Sequence, residues 1–203
     1  ISEVGVTVVR TDSPTGEEGY EVVCTTGETA DEAGRPQSNV KLVFDTLLTR
    51  GLNAVPFGRR TWETLTLEAG TPLFEFELAG ERPNDVGVRN GLDFDKGCYV
   101  GQEVVSRIEN RGQPARRLVG LLPTTVPERG AAVFAGDEAV GEVTRATESP
   151  SRGEPVAMAL VDADVTAGDE VSVRVDGDER PAAVVELPFV EGSDRSARTP
   201  RYE

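Results

Sequence analysis

The stretch "DKGCYVGQE", residues 95 to 103, gathers the scarcest reactive groups of the chain. Of two lysines and two cysteines in 203 residues, one of each stands here, as Lys96 and Cys98. The run reads as a glycine-containing loop that enters a helix, which places Cys98 near a helix N-terminus beside an ammonium group. The dipole and the direct charge both favour the thiolate, so the chemistry on offer is that of a reactive thiol. Gly97 and Gly101 on either side let backbone approach a ligand closely. Gln102 and Glu103 supply an amide and a carboxylate suited to the edge of a heterocycle. Arginine provides 19 of the 21 basic residues, so a lysine at 96 points to a place where a compact charge serves and a guanidinium fork does not. The competing reading is a small cysteine in a helix-packing contact, with Lys96 as solvated decoration. The polar, glycine-flanked surroundings favour the reactive reading for Cys98, whereas Cys24, inside an apolar run, reads as structural.

The chain contains no histidine. Histidine-based triads and histidine metal sites are therefore excluded, and two distant cysteines make neither a disulfide framework nor a closed zinc site. No apolar run approaches a membrane span and nothing resembles a signal peptide, so the expectation is a cytoplasmic protein without membrane contact. The chain opens Ile-Ser-Glu, without methionine, and runs at once into a strand-like segment. The expectation is that the N-terminal part of a longer protein is missing.

The elements that must hold the motif follow from periodicity. "VGVTVVR" (4–10) and "GYEVVCT" (19–25) read as strands joined by a polar turn. Val40, Val43, Phe44, Leu47 and Leu48 fall at helical spacing up to Gly51, and "RRTWETLTLEAG", closed by Gly70, reads as a second, shorter helix. Val104, Val105 and Ile108 are expected on the inner face of the helix after the motif, which Gly112 ends. From Arg116 onward, five or six short strands separated by Gly, Pro and Asp predict a small antiparallel barrel or sandwich. The predicted layout is an α+β subdomain over 1–90, the motif loop, helix and connector over 91–117, a barrel over 118–190, and a polar tail over 191–203 that drapes or frays.

Charge singles out the same motif. The chain carries 36 acids against 21 bases, a formal charge of −15. That acidity with so little lysine fits a protein of high-salt surroundings, where self-repulsion is screened. It also argues against nucleic-acid binding, since there is no net basic surface to displace counterions. Residues 91–118 hold four acids and five bases, the one stretch that escapes the bias. Lys96, Arg107, Arg111, Arg116 and Arg117 there form a candidate anion site. Chance fluctuation and salt bridges to neighbouring acids are the plainer alternative.

"KGCYVGQE" followed by an arginine-bearing helix resembles the signature of the YgfZ-type folate-binding proteins, relatives of the glycine cleavage T-protein (aminomethyltransferase). "TGEEGYEV" at 15–22, "LTLEAG" at 65–70, "GEVTRATESPSRGEPVAMALV" and "VVELPFV" resemble further pieces of that superfamily in the same order. The resemblance implies a ferredoxin-like folate-binding subdomain followed by a small antiparallel C-terminal β-barrel. This chain would supply the second half of a two-half core, without the half that carries the T-protein's catalytic aspartate.

The resemblance further implies tetrahydrofolate as cofactor, with Glu21 as the carboxylate that hydrogen-bonds the pterin. Cys98 and Lys96 would be the functional pair, flanked by Gly97, Tyr99, Gln102, Glu103 and Arg107. The basic cluster would meet the folate's glutamate carboxylates. Two positions depart from the T-protein pattern. Pro14 stands where a tyrosine is expected, and Trp62 where an arginine is expected, with Arg59 and Arg60 nearby as substitutes. The implied function is a folate-dependent accessory role toward iron–sulfur client proteins, through one-carbon or thiol chemistry at Cys98, in a halophilic microbe. The alternatives are an aminomethyltransferase, with a lipoyl carrier protein as partner, and a non-catalytic protein-binding fragment.

Overall fold

A computed structural model of the chain describes residues 4–12, 14–30, 33–51, 55–93, 95–191 and 198–202. The valine-rich runs form a hairpin, β1 (Val6–Arg10) with β2 (Tyr20–Cys24), in which Val8 faces Val22 and Val9 faces Glu21. A second ribbon, β3 (Glu28–Ala30) with β4 (Pro36–Ser38), arises in a polar stretch with no alternating pattern to announce it. The ferredoxin-like part is thus represented by two separate two-stranded ribbons.

Helix α1 (Asn39–Arg50) follows and stops at Gly51, whose N–H bonds the Leu47 carbonyl with φ at −88°, outside the left-handed region. Its apolar stripe is only partly used. Val43 is buried, but Val40, Phe44 and Leu47 stay exposed, as do Val8, Val9, Tyr20 and Val23 of the hairpin. Helix α2 (Arg59–Glu68), a π-helical turn at Phe74–Leu78, a 3-10 turn at Arg89–Gly91 and α3 (Gln102–Arg111) complete the helical part. On α3 the expected inner face needs correction. Val105 is buried and Ile108 half-buried, but Val104 is exposed, because the side of the helix turned inward carries Val105, Ile108 and Glu109.

The second half closes into a six-stranded antiparallel barrel. Its strands are β5 (Arg116–Pro123), β6 (Ala132–Ala135), β7 (Glu138–Ser149), β8 (Glu154–Asp162), β9 (Glu170–Val175) and β10 (Asp178–Val185), ordered β10-β5-β8-β7-β6-β9. Closure leaves no free edge in the barrel. Val119, Leu121, Val143, Ala159, Val161 and Val173 are among the residues that fill it. A second core lies outside its wall, where Val156, Met158 and Leu160 of β8 pack with Leu67 of α2, Val86 and Phe189. Strand β8 is therefore buried on both faces, which explains its nearly unbroken apolar run, "PVAMALV".

One irregularity in β7 fastens the two halves together. The register shifts between Val143 and Arg145, so Thr144 is an extra residue and Arg145 faces Met158. Strand residues alternate sides, so one inserted residue exchanges the faces of all that follow. Without the bulge Arg145 would point into the apolar barrel; with it, Arg145 emerges on the outer wall. There its Nε donates to Glu77 at 2.8 Å, Nη1 to Thr66 Oγ1 at 3.0 Å and Nη2 to the Thr71 carbonyl at 2.7 Å, all buried. A second buried carboxylate, Glu68, accepts from the Ser149 hydroxyl, the Ser151 N–H and the Ser151 hydroxyl. A third, Asp85, accepts from the Ala115 N–H at 3.0 Å and from Arg82 Nε at 2.7 Å.

Of the two behaviours expected of the C-terminal run, the described part shows draping. Residues 192–197 lie outside the described residues, and 198–202 lie against the surface through Thr199 and Tyr202. Thr199 is buried, and the Tyr202 hydroxyl donates to the Asp85 carbonyl at 3.0 Å and accepts the Leu118 N–H at 2.6 Å. The polar composition of the tail hides this, because a single aromatic supplies the anchor.

Candidate functional site

The cysteine loop stands at the N-terminal end of α3. Gly101, at φ +91°, turns the chain into the helix in a conformation that side-chain-bearing residues rarely adopt. Gln102 Oε1 reaches back to accept the Tyr99 N–H at 3.2 Å, and Glu103 occupies the first turn, where the dipole favours a carboxylate. Lys96 Nζ lies 4.7 Å from the centre of the Tyr99 ring, and Cys98 between them is exposed. Lys96, Tyr99 and Gln102 thus form one local cluster in the loop that carries the exposed Cys98. Cys24 is half-buried at the end of β2.

The other expected residues are more dispersed. Glu21 sits exposed on β2, and its carboxylate makes no hydrogen bond or ion pair with a described residue. Arg59 Nε pairs with Glu63 at 2.7 Å and its Nη2 pairs with Glu75, so this guanidinium is engaged along its own helix and with the π-helical turn. Arg60 lines a cleft against the barrel. Trp62, two residues on, falls about 160° around the helix from Arg60, and is partly exposed. Helix α2 has no side-chain cap and carries two arginines in its first turn. Of the expected anion cluster, Arg107 is exposed, Arg116 pairs with Glu81, and Arg117 turns elsewhere; the side chain of Arg111 lies outside the described residues.

Arg117 leads to a cavity of about 770 Å³ between the barrel and the C-terminal tail, walled by Arg89, Arg117, Arg201, Tyr202, Val185 and Leu187. Three arginines and one carboxylate, Glu186, border this space, and Arg89 is already paired with Glu109 of α3. The Arg117 guanidinium stacks on the Tyr202 ring at 4.8 Å, and its Nε is buried without a hydrogen-bond partner. Burial pushes the Tyr202 phenol far above its ordinary pKa of 10.0, so it stays a neutral donor. Beside this cavity lies a smaller one, of about 260 Å³, which shares Arg89, Arg201 and Tyr202 and is closed on its far side by Ile108 and Glu109 of α3. It contains a second orphan, the buried Oδ1 of Asn84. Unpaired buried donors and acceptors are uncommon in folded chains and call for a partner.

Helix α3 runs from the cysteine loop to the smaller of the two cavities. A ten-residue helix is about 15 Å long. The thiol loop stands at one end of it, and the smaller cavity lies beside the other, at Ile108 and Glu109. Arg89, Arg201, Tyr202 and Asn84 escape sequence reasoning, since they come from a turn and a tail with no motif. The one available signal was the lone aromatic in "RTPRYE".

Residues 116–191 match the family described as the glycine cleavage T-protein C-terminal barrel domain. The chain is 38% identical over 174 residues to an aminomethyltransferase of Streptomyces avermitilis, an alignment covering 81% of this chain and 47% of that protein. It is 34% identical over 196 residues to an aminomethyltransferase of Geobacillus kaustophilus, covering 93% of this chain and 50% of that protein. The fold is similar to the crystal structure of glycine cleavage system aminomethyltransferase T from Bartonella henselae, with a TM-score of 0.74 at 25% identity, over 97% of this chain and 51% of that one. The chain spans about half the length of the curated relatives it matches.

Proposed function

We propose that this chain, which belongs to the glycine cleavage T-protein superfamily, binds tetrahydrofolate across the adjoining cavities and α3, with Cys98 as an accessible thiol beside the ligand. The observation that carries the reading is the convergence of Arg89, Arg117 and Arg201 on one cavity of a strongly acidic chain. The carboxylates of a folate's glutamate tail are acceptors only, and a guanidinium fork matches them in geometry and charge. The donor set therefore fits that end of the cofactor. Glu21 would serve the pterin end, because a carboxylate complements the donor face of a 2-amino-4-oxo heterocycle. When bound, tetrahydrofolate supplies a carrier for one-carbon units. The chain's own residues hold and orient it, and Lys96, Tyr99 and Gln102 fix the loop that presents the thiol.

Within the superfamily we favour the YgfZ-type accessory reading, on "KGCYVGQE" and on Trp62 and Pro14 standing where the T-protein pattern has arginine and tyrosine. An iron–sulfur client is part of that reading. The second reading, an aminomethyltransferase served by a lipoyl carrier protein, draws on the names of the relatives.

Calorimetric titration with tetrahydrofolate in molar salt tests the binding. Arg117→Gln and Glu21→Ala are each expected to weaken it about tenfold or more, the usual effect of losing a charge-assisted hydrogen bond. Cys98→Ala is expected to leave affinity unchanged. No saturable binding by the unsubstituted chain would refute the folate reading. Transfer of a methylene group from an aminomethyl-lipoyl carrier to tetrahydrofolate, surviving Cys98→Ala, would move the assignment to the aminomethyltransferase.

A further inference from the structure

We infer that the cleft between α2 and the outer wall of β7 is a second binding site, separate from the folate reading, which takes a tetrahedral oxyanion: phosphate, free or as a monoester. The cleft measures about 320 Å³ and is walled by Arg60 and Thr64 of α2, Phe76 of the π-helical turn, Arg129 of the β5–β6 connection, and Thr147 of β7. It shares no lining residue with the cavities around Arg117.

The charges in the cleft do not cancel. Arg145 at its floor is neutralised by Glu77, and Arg59 is shared by Glu63 on the rim and Glu75 beside it, so Arg60 and Arg129 leave the cleft with a net positive charge of about one. The Arg60 guanidinium makes no ion pair or hydrogen bond with a described residue. Arg129 has no carboxylate partner either. Its Nη2 donates to the Glu75 carbonyl at 3.1 Å and its guanidinium lies 4.9 Å from the centre of the Phe76 ring, which fixes the fork in place and leaves its charge uncompensated. Nine other arginines of this acid-rich chain have a carboxylate partner: residues 10, 59, 82, 89, 116, 145, 152, 174 and 180. Two cations without one, on a single cleft, are an arrangement that an anion completes.

The hydroxyls point to the same ligand. Thr64 Oγ1 and Thr147 Oγ1 lie 3.4 Å apart in a hydrogen bond to each other, and Thr147 Oγ1 also donates to the Glu148 carbonyl at 3.2 Å, so Thr64, on the helix, is the hydroxyl that rotates to give its proton to an anion. Thr147 is there because of the β7 bulge, which carries it, like Arg145, to the outer wall. Arg60 and Thr64 share one face of α2, opposite Trp62. Two guanidinium forks with the Thr64 hydroxyl suit the several acceptor oxygens of a phosphate group. The space exceeds a bare ion, and the Phe76 ring gives an apolar wall for a small organic substituent.

Calorimetric titration of the chain with potassium phosphate and with phenyl phosphate, each at constant ionic strength against chloride, tests this. Saturable one-site binding of at least one probe is expected. Arg60→Gln and Arg129→Gln should each weaken it about tenfold, and the double variant should abolish it. Arg60→Lys, which keeps the charge without the fork, should fall between. Arg180→Gln, which removes an equal charge from an exposed pair with Asp178, should change nothing. Tighter binding of phenyl phosphate identifies an organic monoester as the source, and equal affinities identify free phosphate. Failure of both probes to saturate the unsubstituted chain, or equal weakening by Arg180→Gln, overturns the proposal. Tetrahydrofolate binding measured alongside keeps the two readings distinct, since Arg117→Gln leaves phosphate binding intact.

Discussion

At the residue scale, two side chains illustrate what local sequence can and cannot announce. Cys98 is legible: glycines flank it, a lysine is near, and the structure leaves it exposed. A mild alkylating reagent is therefore expected to label Cys98 well before the half-buried Cys24 without unfolding the chain, as peptide mapping over time would show. Tyr202 is not legible, because its partners Asp85 and Leu118 are 117 and 84 residues away. Its substitution by Phe strands a buried carbonyl and a buried N–H, at a cost of about 1–3 kcal/mol. The phenol also sets a pH dependence. Its folded pKa is raised by burial, so above the ordinary value of 10.0 the unfolded chain gives up a proton that the folded chain keeps. Its contribution is unaltered below pH 10, and stability falls as pH rises past that value. Urea midpoints on either side of pH 10 should show the decline in the native chain and a shallower one in Tyr202→Phe.

At the element scale, the strands of the barrel were readable from alternation, but the bulge in β7 was not. "GEVTRATES" contains a charged residue that simple alternation would send inside. The insertion at Thr144 reverses that and makes Arg145 the tie between barrel and helices. Glu77→Ala leaves a buried guanidinium without its counter-charge and should cost about 3–5 kcal/mol, whereas Arg145→Met with Glu77→Leu should recover much of the loss. Chemical denaturation of the three proteins checks both statements. Gly87 is the matching feature under the tail. Its φ is +68°, and a Cβ there would meet Arg201 N, Pro200 Cβ and Tyr202 Cζ, each at 2.9 Å. Gly87→Ala should lift the tail and open the arginine cavity, seen as faster hydrogen exchange at the amides of Leu118 and Arg201.

At the scale of the whole molecule, order is unevenly distributed. The barrel has no edges and a filled interior, while the β1–β2 ribbon stands with free edges and with Val8, Val9, Tyr20 and Val23 exposed. A two-stranded ribbon without a packed face is marginal in water. Hydrogen exchange should accordingly be fast over residues 6–24 and slow over β5, β7 and β8. The charge of −15 acts on every element at once, and added salt screens it. The thermal midpoint is expected to rise with potassium chloride, and a midpoint indifferent to salt would contradict the high-salt reading of the composition.

The sequence by itself determined the elements whose signals are local: the hairpin, α1, α2, the loop into α3, and the series of barrel strands. Period and turn residues act between near neighbours, so they can be read along the chain. Only the tertiary structure decided where β7 slips by one residue, which face of α2 meets the barrel, and that a polar tail returns to seat Tyr202 over Arg117. Those choices are made by burial of carboxylates and arginines against partners far away in the chain. A buried charge must be paired wherever its partner happens to lie, and no periodicity in the sequence records that distance.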